Sequence, residues 1–178
     1  MPATYTDAWA EGEANCVTDG AQFITVELQH PGFVDEADQP IPLRYVLDVM
    51  ERAFALEEDA AFDTGETVTF EPAGFECEHP TMAEGRPPVA RLRLDDVSGA
   101  LVVHLDKAKT FRADLKVIIR GYRADYPAAP SYGPIELVLT DITKDSTGVE
   151  GTATIVDFGD RKVPSRVYTL EDYPGLVP

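Results

Sequence analysis

The chain has 178 residues, enough for one ordinary domain whose core needs neither metal nor disulfide support. Hydrophobic residues make up 44%, which excludes wholesale disorder. The net charge of −17 opposes attraction to phosphate backbones and to anionic membrane surfaces.

Two cysteines, Cys16 and Cys77, are too few for a disulfide framework and read as reduced thiols. No basic stretch followed by an apolar one opens the chain, and no apolar run is long enough to span a bilayer. The sequence therefore predicts a protein made and kept in the cytoplasm unless it leaves inside a larger assembly.

Thr6-Asp7 supplies a helix cap, and Ala8, Trp9, Ala10 and Ala14 follow as a short amphipathic helix. Gly12 weakens that helix by about 1 kcal/mol relative to Ala. Gln22 to His30 alternates cleanly, with Ile24, Val26 and Leu28 on one side, and reads as a half-buried strand ended by Pro31-Gly32. Leu43 to Val49 predicts a second strand. Arg52 to Glu57 fits a third, although Ala53, Leu56 and Ala60 also stand at helical spacing. Asp63-Thr64-Gly65 is a turn signal, Thr67 to Phe70 a strand, and Pro72-Ala73-Gly74 its breaker. Phe75 to Glu78 begins another extended piece, and His79 to Pro88 reads as a loop. Val89 to Leu94 alternates with Ala90, Leu92 and Leu94 inward and Arg91 and Arg93 outward.

Asp96 or Ser98 caps the strongest helix, whose stripe is Val97, Ala100, Leu101, His104, Leu105 and Ala108, with Lys107 and Lys109 suiting its C-terminal dipole. Phe111 to Tyr122 alternates again: Phe111, Ala113, Leu115, Val117 and Ile119 on one side, Arg112, Asp114, Lys116, Arg120 and Tyr122 on the other. Ile135 to Ile142 and Val149 to Val156 form an antiparallel pair joined by Lys144-Asp145-Ser146-Thr147-Gly148. With no strand–helix–strand alternation, the expected fold is mainly β: an antiparallel sandwich or barrel with one packed helix and a short N-terminal helix. One structural domain covers 1–178, with an N-terminal helical segment at 1–20 and an extended tail at 163–178.

The residue pattern carries no sign of catalysis. His30, His79 and His104 have no partners at metal-ligand spacing, and nucleotide-loop and nucleophile-elbow motifs are missing. Glu76-Cys77-Glu78-His79 is the one local Cys/His/carboxylate cluster, and a strand edge explains it. Glu57-Glu58-Asp59 reads as a solvated acidic loop and Asp95-Asp96 as a helix cap. No cofactor, metal or catalytic residue is expected.

Several segments resemble, in order, a family of small phage minor tail or tail-tip proteins, a domain of unknown function from siphophage tail modules. They are His30-Pro31-Gly32-Phe33, Pro42-Leu43-Arg44, Asp48, Thr67-Val68-Thr69-Phe70-Glu71-Pro72, Gly74-Phe75-Glu76, Pro80, Leu94-Asp95-Asp96-Val97 and the closing Tyr173-Pro174-Gly175-Leu176. Asp96 stands where the family commonly has Asn, and the loop from Asp59 to Gly65 runs long and acidic.

The resemblance implies a tail-tube-like fold and a structural role in the tail tip or baseplate of a virion. Copies would form a ring that joins the tail tube to the hub and receptor-binding tip. Partners would be further copies, the tube, hub, tape measure and tip proteins, with no specific nucleic-acid binding and no membrane insertion. Trp9, Phe33, Tyr168, Tyr173, Pro174 and Leu176 are the candidate assembly residues. The alternatives are a carbohydrate- or receptor-binding module, using Trp9, Tyr122, Tyr126 and Tyr132 as stacking platforms, and a small hydrolase built on one of the histidines.

Overall fold

The structure, a computed structural model, describes residues 4–14, 21–35, 37–77, 89–95, 100–145 and 148–154. Strand β1 (Thr4–Tyr5) leads into helix α1 (Asp7–Ala14), capped by Thr6, whose Oγ1 accepts the Trp9 backbone N–H at 3.2 Å. Then come β2 (Gln22–Gln29), β3 (Leu43–Val46), β4 (Arg52–Ala55), β5 (Thr67–Pro72), β6 (Phe75–Cys77) and β7 (Val89–Asp95). Helix α2 (Ala100–Ala108) precedes β8 (Leu115–Arg123), β9 (Tyr132–Lys144) and β10 (Gly148–Thr154).

These strands form one ten-stranded, mostly antiparallel sheet in the order β4-β5-β3-β2-β8-β9-β10-β7-β6, with β1 added to β9. The mainly β fold with two helices agrees with expectation. The single parallel contact named in the register is β3 with β5, through Tyr45 opposite Glu71 and Val46 opposite Pro72.

One face of β2 and β6 to β10 meets Leu101 and Leu105 of α2 in the larger core, which includes Val26, Leu28, Phe75, Leu92, Val117 and Leu137. Full burial of a side chain such as Leu92 or Leu137 contributes roughly 1.5–3 kcal/mol. The sheet curls far enough that Phe75 and Cys77 of β6 share a cavity with Ile24 of β2 and Ile119 of β8. At the β2–β3 corner, Phe33 packs between the rings of His30 and His104, at 5.5 and 5.8 Å.

The opposite face of β2–β8 departs from the sequence reading. Arg120 and Tyr122, expected to face outward, are fully buried. The β4–β5 hairpin folds over them and makes a second core of Val46, Phe54, Leu56, Phe70 and Tyr122. Tyr122 stacks on Phe54 with ring centres 4.3 Å apart, and its hydroxyl donates to the Ala55 carbonyl at 3.0 Å. Phe111 and Ala113 precede β8 and are exposed instead of pointing inward, because the chain is still leaving α2 there. The second strand stops at Val46 rather than Val49, and the helical alternative around Ala53 does not form. The third strand is β4, ending at Ala55. The caps Asp96 and Ser98 lie outside the described residues.

Candidate functional site

Two constructions stand out: a buried ionic network and an apolar cleft. The network starts with Arg120, placed on β8 opposite Thr25 and therefore diagonal to Glu27 on β2. Its Nη1 contacts Glu27 Oε2 at 3.0 Å, while Nε and Nη2 donate to Glu57 at 2.8 and 2.6 Å. Arg44 of β3 contacts the same Glu27 oxygen at 3.3 Å and Asp63 at 2.8 Å. Gln29 donates its amide to the other Glu27 oxygen.

Burial works against the Arg120 guanidinium, but the Glu57 hydrogen bonds and the charges of Glu27 and Glu57 outweigh it and raise its pKa. Burial also pushes the Tyr122 phenol far above its ordinary value. Glu57 and Asp63 both belong to the loop between β4 and β5, so the network ties that loop down onto the sheet. This corrects the reading of Glu57 as part of a solvated acidic loop. The signal present in the sequence is Glu27 and Arg120, charged residues inside strongly apolar strands.

The cleft is a cavity of about 110 Å³ lined by Ile24, Leu47, Phe75, Cys77, Ile119, Tyr132, Ile135 and Leu137. Its polar groups are the Cys77 thiol and the Tyr132 phenol, and burial raises the Tyr132 pKa. On one side the wall continues as an aromatic stack. Trp9 lies parallel to Tyr132 at 5.6 Å, and Tyr5 meets Tyr132 edge-on at 6.0 Å. This approach depends on Gly121, where a Cβ would stand 2.5 Å from Trp9 Cη2.

On the other side is the loop after β3, anchored by the Leu47 N–H on the Ile24 carbonyl at 3.0 Å. Asp48 turns this loop. Arg52 at 2.7 Å and the Val49 N–H hold its carboxyl below the usual carboxylate range. The turn leaves three apolar side chains in solvent: Leu47 at 47% exposure, Val49 at 91% and Met50 at 53%. Exposed apolar residues beside an apolar hollow are features that contact surfaces present.

The sequence-derived candidates fall elsewhere. Trp9 and Phe33 are buried, so neither offers surface to a neighbour: Trp9 is packed over Gly121 and Tyr132, and Phe33 sits in the corner below α2. Tyr168, Tyr173, Pro174 and Leu176 lie outside the described residues, as do Cys16, Glu78 and His79. Of the four sugar-stacking aromatics, Trp9 and Tyr122 are buried, Tyr132 is half-buried beneath Trp9, and Tyr126 is exposed.

His30 Nδ1 accepts the Gly32 N–H at 2.9 Å, and its Nε2 lies 3.2 Å from the Ala113 carbonyl. Those contacts hold the corner together. Burial, then Lys107, lowers the His104 pKa. Among the described residues no group of three or more His, Cys, Asp or Glu side chains is arranged to hold a metal ion. Nor is any helix among them long and apolar enough to cross a membrane.

The family described as a Domain of unknown function (DUF1833) matches residues 14–168, which include the whole ionic network and every residue lining the cleft. The chain belongs to this family. The DUF1833 match begins at the last residue of α1, so Tyr5 and Trp9 precede it. No curated protein matches the chain.

Proposed function

We propose that this chain is a structural protein of a phage tail tip or baseplate that works by packing against neighbouring proteins, with copies forming a ring between the tail tube and the hub. The observation that carries the reading is the apolar cleft with exposed Leu47, Val49 and Met50 at its mouth. A hollow of this kind, mostly apolar with only the Cys77 thiol and the Tyr132 phenol as polar groups, offers a neighbour area to bury. The edge strands β4 and β6 at the two ends of the sheet order add further places for a neighbour to pair. The ordered family-like segments supply the tail assignment, and the charge of −17 suits a ring through which DNA passes without sticking.

The test is proteomics of purified virions from a phage or prophage carrying this gene, combined with complementation of a gene deletion. The protein should be present in tails. A Val49→Asp/Met50→Asp variant should fold with an unchanged circular-dichroism spectrum yet fail to restore infectivity. Absence of the protein from infectious virions would reject the reading.

A further inference from the structure

Residues 4–14 lie on the body as an arm with one anchor. Helix α1 has eight residues and β1 has two, and Trp9 is the one side chain of these elements that is buried. A helix of that length does not hold its shape in water without a surface to pack on. The arm therefore stays in place through the Trp9 ring, the short β1–β9 ladder and a few hydrogen bonds. Contacts of this kind open locally while the rest of a protein stays folded.

The groove that receives the arm is complete without it. Gly121 of β8 leaves the room that the indole fills, since a Cβ there would stand 2.5 Å from Trp9 Cη2, and Tyr132 of β9 stacks on the ring at 5.6 Å. Gln22 Nε2 donates to the Trp9 carbonyl at 2.9 Å, Arg123 Nη1 donates to the Ala8 carbonyl at 2.8 Å, and the Ser131 carbonyl accepts the Thr6 N–H at 3.1 Å. These five residues are fixed by the sheet itself. Gln22 stands opposite Arg123, Gly121 stands opposite Tyr132, and the Ser131 N–H donates to the Gly121 carbonyl at 2.8 Å. Bonds to the arm's main chain together with a seat for one ring are how grooves recognise a peptide, whichever chain carries it.

Every copy of the chain carries both the groove and the segment that fits it. The contact is the same whether the arm comes from its own chain or from another, so exchange costs only what it takes to bring two chains together. We propose that the groove of Gly121, Arg123 and Tyr132 is a docking site for residues 4–14 of a second copy, and that arms exchanged in this way join neighbouring copies. The exchange rests on the ring reading for the crowding that brings copies together, and it deepens that reading by naming the contact between them. Tyr132 also lines the cleft, so an exchanged arm places a neighbour at the cleft wall.

Trp9 is the one tryptophan of the chain, so its emission reports whether a groove holds it. A full-length donor carries Gly121→Ala, which closes its own groove to the indole. A full-length receiver carries Trp9→Ala, which leaves its groove vacant and the chain without tryptophan. A blocked receiver carries Trp9→Ala and Gly121→Ala together. Titrated into dilute donor up to ~1 mM, the effective concentration that linked partners reach, the vacant receiver should move the donor emission to shorter wavelength. Light scattering should then show the mass of two chains. The blocked receiver should need at least tenfold more protein for the same shift. If Trp9→Ala loses the parent's circular-dichroism spectrum, Trp9→Leu, which keeps an apolar side chain over Gly121, serves as receiver under the same criteria. No shift at that concentration, or equal shifts with the vacant and blocked receivers, would overturn the exchange. These outcomes are read on the isolated protein, so they stand or fall apart from the virion proteomics.

Discussion

Replacing Glu57 with Ala tests whether the loop between β4 and β5 is held by charge. Arg120 has no exposed surface, and Glu57 supplies two of its three carboxylate contacts, at 2.8 and 2.6 Å. Its removal leaves a buried guanidinium with Glu27 alone, which Arg44 also shares. Charge-assisted hydrogen bonds contribute about 1.5–3 kcal/mol each, and breaking one side of a buried pair costs about 3–5 kcal/mol. Glu57 is 14% exposed, so water reaches part of the vacated site and the lower end applies: about 3 kcal/mol. For a chain of this size that corresponds to a fall in Tm of roughly 6–12 °C.

Asp63→Ala removes the other anchor of the same loop, but that carboxylate is 44% exposed and its loss should cost about 1 kcal/mol or less. Urea denaturation followed by circular dichroism, with matched slopes, measures both. A Glu57→Ala variant within about 1 kcal/mol of the parent would mean that Arg120 is solvated and the loop stands open, contrary to the geometry.

Three further outcomes follow from the packing. Gly121→Ala should displace Trp9 from Tyr132 and cost about 1–3 kcal/mol; since Trp9 is the one tryptophan, a red-shifted emission reports the movement, and an unchanged spectrum would contradict the contact. The raised pKa of Tyr122 means that the folded state holds the phenolic proton more tightly than the unfolded chain, where the value is near 10.0. Its contribution is complete below that pH and is lost as pH rises above it, so ultraviolet titration should show a tyrosine step that persists until alkaline unfolding, and Tyr122→Phe should reduce that step by one tyrosine. His104 behaves oppositely: its pKa is lowered from 6.5, so its contribution is present above that pH and lost as pH falls below it. His104→Gln should flatten the stability–pH curve on the acid side of 6.5, and an unchanged curve would rule out a buried neutral imidazole.

Alternation reveals which strands exist more reliably than what covers them. The pattern of Val89 to Leu94 is sufficient, because the outward Arg91 and Arg93 do meet solvent. The same pattern in β8 places Arg120 and Tyr122 outside, since period two separates the faces of a strand but carries no information about a second layer folding over one of them. That layer is a hairpin held by two residue pairs to β3, a long-range event with no local signature. The cleft is illegible for a related reason. Its lining comes from four separate strands and one loop, and each residue alone reads as core. Leu47 and Val49 look like the end of a strand, and the Asp48 turn that exposes them depends on an ion pair with Arg52. Trp9 and Phe33 stand out in the sequence as contact residues because of their size, and that size is what buries them.

The middle of the sheet has a consequence for how the protein is made. Strand β2 is central, yet its partner β8 follows far along the chain: the Thr25 hydroxyl donates to the Arg120 carbonyl across 95 residues. During synthesis at about 5–20 residues per second, Ile24, Val26 and Leu28 leave the ribosome several seconds before the strand that covers them. For that interval the first half of the chain carries an open apolar edge and cannot close either core, because both need β8. The decisive step of folding is therefore expected to wait for β8, with high contact order and a period of dependence on chaperones that the finished molecule does not reveal.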